Sequence, residues 1–384
     1  MENMNDKPLK IVYCTPALYM AGGVERVLTL KANYFAEHYG YDITIVLTEG
    51  KDKPLFYPLS DKIKVVNLDI NFEEIWECSF LKKIYIYLRK QRIYKKKLTA
   101  ELIRIRPDIT ISLLRREINF LTSIHDGSKK IGEMHINRAN YRNFDKTQSN
   151  VIKLFFSKLW MNNLLSKLKQ LDQLVVLTEM DKLAWEELDN VIAIPNPLPF
   201  FSSDKSAQSN KQVIVVGRYC HEKGYDYLLQ AWAKVQMACP DWQLTVFGDG
   251  DRNVYEKMLD DLHIDRTRCL LNGRTSDIQS EYVRSSLAVC CSRFEGFGLF
   301  IIEAMACGLP VVSFDCPWGP RSIISNNEDG VLVDNGNIEI LAKYMILLMK
   351  DDVTRKTMAE NAIKNVQRYK LEQIAQQWKL LFEG

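Results

Sequence analysis

Arg218 and Lys223 stand five residues apart in VVGRYCHEKGYDYLLQAW, residues 215–232, where an apolar β-branched run stops and an amphipathic pattern begins. Two cations at a strand's end beside a new helix form a phosphate site, because side-chain charge and free helix N–H groups converge on one anion. An isolated Arg and Lys would read as solvated surface cations; the position at a strand's C-terminal end favours the anion. A second segment, CSRFEGFGLFIIEAMACGLPVVSF at 291–314, carries Gly296 and Gly298 and then turns helical, with the helix predicted over 297–306. Glycines there let the backbone approach a ligand, and the new helix points N–H groups at it. Glu303 falls inside that helix among Ile301, Ile302, Ala304 and Met305. A carboxylate so placed needs a partner, either sugar hydroxyls or a buried salt bridge. Glu295, in the loop, would alone read as an ordinary loop acid.

The third segment, YCTPALYMAGGVERVLTLKANYFAEHYG, ends a loop on Gly22 and Gly23 and continues as a helix. It lacks the G-x-G-x-x-G of a dinucleotide site, and a tight turn before a helix explains the glycines equally well. His135, in GEMHINR, follows an apolar run and should project from a strand end, where an imidazole can hydrogen-bond or exchange protons at neutral pH. A structural histidine is the alternative reading. His125 competes with it but precedes Asp126-Gly127, a turn signature. The nine cysteines, Cys14, Cys78, Cys220, Cys239, Cys269, Cys290, Cys291, Cys307 and Cys316, include no CxxC pair, and several lie in apolar runs as small buried hydrophobes. Neither a zinc site nor a disulfide framework is expected.

The elements that must position these residues alternate along the whole chain. Short β-branched runs (KIVYC, DITIVLT, KVVNL, PDITISL, KKIGEM, QLVVLT, then QVIVVG, WQLTVFG, CLLNG, LAVCCS, PVVSF, GVLVD) are separated by longer helical patterns. That is the α/β signature of parallel sheets. The fold class expected is two Rossmann-like doubly wound domains facing a cleft, with ligand loops at the strand C-terminal ends. Pro195, Pro197 and Pro199 punctuate a Ser- and Asn-rich linker between the two strand sets, and Asn196 reads as a turn residue at the boundary. The expected domains are 1–196, 197–365, and a terminal helix over 366–384.

At 384 residues, 47% hydrophobic and 26% charged, the chain can build two cores and is neither disordered nor repetitive. A net charge of +3 argues against nucleic-acid binding driven by overall charge, and no nucleic-acid module is recognisable. No apolar stretch reaches the ~18 residues of a membrane span, and the N-terminus lacks a signal-peptide core. A cytosolic protein is expected.

GRYCHEKG followed by EGFGLFIIE, with two glutamates eight positions apart, resembles the retaining family-four ("group 1") glycosyltransferases. The two motifs in this order are specific, and the likeness extends more loosely over the first half. The resemblance implies the two-domain GT-B architecture, a nucleoside-diphosphate sugar donor (UDP- or GDP-linked), and no metal or other cofactor. It implies that Arg218 and Lys223 bind the donor diphosphate, Glu303 the ribose hydroxyls, and Glu295 the hydroxyls of the transferred sugar. The backbone at Phe297, Gly298 and Leu299 would touch phosphate or sugar, and Gly273 and Arg274 would flank the base. Gly22 and Gly23 would lie near the phosphates, and His135 would contact the donor sugar. Asp249-Gly250-Asp251 spells the metal triplet of the other major glycosyltransferase fold, but in this alignment it is a turn. CPWGPRSIISNNEDGVLV, with Gly319, Pro320 and Arg321 expected on a loop, resembles polysaccharide-assembly members, which implies bacterial capsule, exopolysaccharide or lipopolysaccharide synthesis. The terminal helix would pack back on the N-terminal domain.

Two basic stretches complete the reading. Residues 81–97 carry Lys82, Lys83, Arg89, Lys90, Arg92, Lys95, Lys96 and Lys97 without an acid; residues 151–170 combine Lys153, Lys158, Lys167 and Lys169 with Phe155, Phe156 and Trp160. Such faces suit an anionic membrane surface, hence a lipid-linked saccharide acceptor at the inner face of the plasma membrane. A solvated helix packed on its domain is the competing reading. Two other functions stand beside the transferase: a non-catalytic saccharide-binding protein of the same fold, and a nucleotide-dependent isomerase or oxidoreductase.

Overall fold

The computed structural model describes residues 7–75, 79–138 and 151–384. Cys78 lies outside them, as do the side chains of Lys153, Phe155 and Phe156. The chain divides into two compact units, Met1–Ile194 with Ala375–Gly384, and Pro195–Ile374.

The first unit is built on β1 (Lys10–Cys14), β2 (Asp42–Leu47), β3 (Lys64–Asn67), β4 (Ile109–Ser112), β5 (Lys129–Glu133), β6 (Gln173–Val176) and β7 (Val191–Ala193). All are parallel, in the order β3-β2-β1-β4-β5-β6-β7. Ile11 to Cys14 are fully buried, as expected of a strand covered on both faces. The connecting helices are α1 (Gly23–His38), α2 (Phe80–Ile105), α3 (Val151–Leu168) and α4 (Glu179–Leu183). Tyr94, Leu98 and Leu102 of α2 pack with Val12, Val46 and Phe120 in one core cluster. β7 is an addition to the expected strands; its three residues are too few to show a period before the prolines begin.

The second unit carries β8 (Gln212–Val216), β9 (Gln243–Phe247), β10 (Cys269–Asn272), β11 (Leu287–Cys290), β12 (Val311–Phe314) and β13 (Gly330–Val333). These too are parallel, in the order β10-β9-β8-β11-β12-β13. Its helices are α5 (Tyr225–Ala238), α6 (Asn253–Asp261), α7 (Ile278–Arg284), α8 (Leu299–Ala306), α9 (Gly319–Ile323), α10 (Ile338–Lys350) and α11 (Asp352–Asn365). A final helix, α12 (Leu371–Glu383), carries Trp378 and Phe382, which are buried within the first unit.

Two local expectations are corrected. α8 begins at Leu299, two residues later than expected, because Gly298 takes a left-handed φ of 107° as its N-cap and cannot be helical. Gly319, Pro320 and Arg321 open a short helix instead of a loop, with Pro320 in the first turn, where its missing N–H costs nothing.

In both sheets the strand order reverses once, between β1 and β4 and between β8 and β11. Loops diverge at such a reversal and leave a crevice at the strand C-terminal ends. The candidate site residues from sequence follow β1, β5, β8, β10 and β11.

Candidate active site

In the second unit the loop after β8 and the loop after β11 meet at the reversal. Lys223 donates to Glu295 at 2.6 Å, and the Ser292 hydroxyl donates to the same carboxylate oxygen at 2.6 Å. Burial would lower the Lys223 pKa, but the Glu295 charge beside it outweighs this and holds it above the ordinary lysine range. Both side chains line a recess of about 200 Å³ together with Val216, Tyr225, Cys290 and Phe300.

The two loops are tied together by more than this pair. Arg293 bonds the Asp226 carboxylate with both terminal nitrogens, at 2.9 and 2.7 Å, and its backbone N–H donates to the Glu222 carbonyl at 2.8 Å. Gly224, at φ 64°, ends the turn that carries Lys223, and a Cβ there would collide with the Cys291 carbonyl. The close approach of the two backbones therefore requires glycine. On the other side, Glu295 N–H donates to the Pro317 carbonyl at 3.3 Å, and a Cβ on Gly319 would strike the Phe297 carbonyl. The CPWGPR segment thus braces the Glu295 loop.

Arg218 is exposed directly after β8. Glu222 is held below its usual range first by the Cys220 thiol and more weakly by Arg218. Glu303, 5% exposed in α8, accepts from the Tyr282 hydroxyl of α7 at 2.8 Å. Phe297 turns its ring into the unit against Tyr369, with centroids 5.4 Å apart, which leaves its backbone for contacts. Arg274 pairs with Asp249, while a side chain at Gly273 would meet nothing within 4 Å. Asp251, one residue before the N-cap of α6, accepts from Asn253 N–H at 2.9 Å. Asp249 thus holds Arg274, and Asp251 holds the backbone that enters α6. Among the described residues no three His, Cys, Asp or Glu side chains are grouped to hold a metal ion. The described cysteines are all free, and all but Cys220 are buried.

In the first unit a recess of about 260 Å³ is lined by Val24, Leu113, Arg115, Met134, His135 and Ile136. Val24 follows Gly22, the N-cap of α1, so the double glycine and His135 share one neighbourhood at the β1/β4 reversal. His125 is exposed elsewhere, beside the Asp126–Lys130 pair. Sequence reasoning missed what lies behind His135. Glu133, the last residue of β5, is buried and paired with Lys31 of α1, and its carboxylate comes within 3.1 Å of His135 Nε2. Burial pushes the Glu133 pKa up, but Lys31 and then His135 outweigh it and hold it well below the usual carboxylate range. Lys31 also lies 4.1 Å from the centre of the Trp378 ring. The signals existed: a lysine on the apolar face of α1, and an acid ending an apolar strand. Nothing in a linear pattern joined them. Ser292 and Tyr282, which hold Glu295 and Glu303, were missed for the same reason.

Residues 200–365 match the family model described as "Glycosyl transferases group 1". That stretch belongs to this family. The chain is a retaining glycosyltransferase of the metal-independent GT-B kind and moves a sugar from a nucleotide-sugar donor. The enzyme is 28% identical over 363 residues to an uncharacterized glycosyltransferase of Haemophilus influenzae, covering 94% of this chain and 96% of that one. It is 25% identical over 373 residues to a Campylobacter jejuni α-1,4-N-acetyl-D-galactosaminyltransferase named for a PP-undecaprenol-linked saccharide, with 94% and 96% covered. Other relatives are longer; this glycosyltransferase spans 52% of the poly(ribitol-phosphate) α-N-acetylglucosaminyltransferase of Staphylococcus aureus, at 29% identity. The crystal structure of TarM shares the GT-B fold at a TM-score of 0.76 and 19% identity, with 98% of this chain and 99% of that one covered. A TarM variant was solved with UDP, fondaparinux and α-GlcNAc-glycerol.

Proposed function

We propose that this glycosyltransferase builds a bacterial surface polysaccharide, transferring a sugar from a UDP-sugar to a hydroxyl of a saccharide carried on a lipid. The observation that carries the reading is the Lys223–Glu295 pair at the reversal of the second sheet. Arg218 and Lys223 take the diphosphate, with the backbone N–H groups at Gly298 and Leu299 completing the anion site. Glu303, oriented by Tyr282, receives the ribose hydroxyls. Glu295 receives hydroxyls of the transferred sugar, while Gly273 and Arg274 flank the base. Gly22, Gly23 and His135 serve the sugar end of the donor.

The hard step is departure of the diphosphate, whose negative charge grows as the glycosidic bond breaks. Cations already in place stabilise that charge without reorganising. UDP is favoured by its presence in the TarM complex, and a lipid-carried acceptor by the name of the Campylobacter relative.

The membrane part of the reading rests on α2. Lys90 donates to the carbonyls of Ile70 and Asn71, Lys95 to Ser123 and Lys97 to the Leu68 carbonyl, so three of the eight cations serve the unit itself. The outward stripe keeps Tyr85, Leu88, Arg89, Arg92 and Lys96 exposed, a mixture of apolar and basic groups suited to an anionic interface. No helix among the described residues is long and apolar enough to cross a membrane. Co-sedimentation with vesicles containing anionic lipid, lost in Arg89→Glu/Arg92→Glu, tests this part.

The donor reading is tested by thermal shift with UDP-, GDP- and ADP-sugars, with and without EDTA. At 100 times its dissociation constant the right donor stabilises by about 2.7 kcal/mol. EDTA-insensitive stabilisation by a UDP-sugar, lost in Glu303→Ala, is expected. Stabilisation by a GDP-sugar alone would overturn the choice of nucleotide.

A further inference from the structure

Behind His135 lies an arrangement that stability does not explain. Lys31 and Glu133 are each 1% exposed, and a buried ion pair is commonly no more stable than apolar residues of the same size. Around this pair, Glu133 Oε2, His135 Nε2 and the Tyr13 hydroxyl are buried without a hydrogen bond among the described atoms. Buried polar groups are normally satisfied, and three unsatisfied ones in one place mark a site under constraint. His135 Nε2 is 3.1 Å from Glu133 Oε1, close in distance but not aligned as a hydrogen bond, a looseness common at catalytic contacts before substrate binds.

A neutral imidazole has one N–H and one lone pair. Turning the Nε2 lone pair toward an anion at 3.1 Å in a water-poor site is repulsive, whereas an Nε2–H is attracted. We propose that Glu133 is a positioning residue that fixes the tautomer of His135, holding the proton on Nε2 so that Nδ1 keeps its lone pair as acceptor for a hydroxyl of the bound sugar. Lys31 keeps Glu133 an acceptor, and Trp378 closes over Lys31. The inference rests on the reading that His135 meets the donor sugar at the recess it lines. It extends that reading from one residue to a chain, Lys31 to Glu133 to His135, drawn from α1, β5 and the loop after it.

The test sets Glu133→Gln against Lys31→Met/Glu133→Leu. Lys31 and His135 meet the same oxygen of Glu133, so the glutamine keeps an amide oxygen before Nε2 while the double variant, of similar size, presents no acceptor there. Long-range ¹H–¹⁵N spectra of histidine-labelled protein should show the Nε2–H form in the wild type and in Glu133→Gln, and a mixture of tautomers in the double variant. The double variant should lose ~10-fold or more in kcat with donor KM changed less than about threefold, and should be less active than Glu133→Gln. A structural role predicts the opposite order, because the apolar pair is the more stable of the two. An Nδ1–H wild type, or a single Nε2–H form persisting in the double variant, overturns the proposal. If Glu133→Gln does not fold, the double variant against the wild type decides. Wild-type activity in His135→Ala would instead sink the assignment of His135 to the donor, leaving the tautomer result to stand by its spectrum.

Discussion

Each unit of this glycosyltransferase places a Lys–Glu pair beside the point where its strand order reverses, and the two pairs differ in what they can do. Lys31 and Glu133 are 1% exposed, enclosed by α1, β5 and Trp378. Lys223 and Glu295 are 25% and 14% exposed and line an open recess. The same two functional groups therefore have different uses. A sealed pair cannot exchange partners with a ligand, so its charge can only act on a neighbour, here His135. An accessible pair leaves its cation within reach of a ligand, as the diphosphate role proposed for Lys223 requires.

The largest expected effect breaks the sealed pair. Lys31→Met leaves Glu133 uncompensated and should lower the unfolding free energy by about 3–5 kcal/mol, read by urea denaturation. Adding Glu133→Leu should restore most of it. A loss below about 1 kcal/mol for the single variant would mean that the pair is not sealed in solution. The open pair should respond in activity instead. Lys223→Ala should slow transfer by ~10²-fold or more while stability changes by less than about 1 kcal/mol. Comparable losses of stability at the two sites would erase the distinction drawn between them.

Glu303→Ala comes next, removing the carboxylate that accepts from the buried Tyr282 hydroxyl, at a cost of about 1–3 kcal/mol. The donor-induced thermal shift should vanish with it, and a shift of wild-type size would remove Glu303 from the donor site. The smallest effect is the acid profile. The Glu133 pKa is lowered from 4.5 to about 2, so its contribution is complete above about pH 4.5 and is lost as pH falls toward 2. Glu133→Gln should flatten stability against pH across that window. An unchanged acid limb would show that Glu133 does not sense Lys31 as described.

Much of the fold was legible because parallel strands covered on both faces are written as continuous β-branched runs, and β8 and β11 are such runs. β7 was not, since three residues carry no period. The start of α8 was misplaced by two residues because a glycine N-cap is fixed by φ and not by hydropathy. Among the candidate site residues, Lys223 and Glu295 were chosen separately, and the structure puts them in contact. Arg274 was legible as a residue near a strand end; its pairing with Asp249 was not.

The amino-acid order by itself determined the alternation of strands and helices, the break at the prolines after Ile194, and which loops carry cations, acids and glycines. These are local properties, set by backbone preference and by hydrophobic period over a few residues. Only the tertiary structure decided that Tyr282 orients Glu303, that Ser292 shares Glu295 with Lys223, and that Lys31 reaches Glu133 across 102 positions. Such contacts depend on how separate elements pack, and the energy of a buried charge depends on its surroundings in three dimensions, which no run of neighbours along the chain encodes.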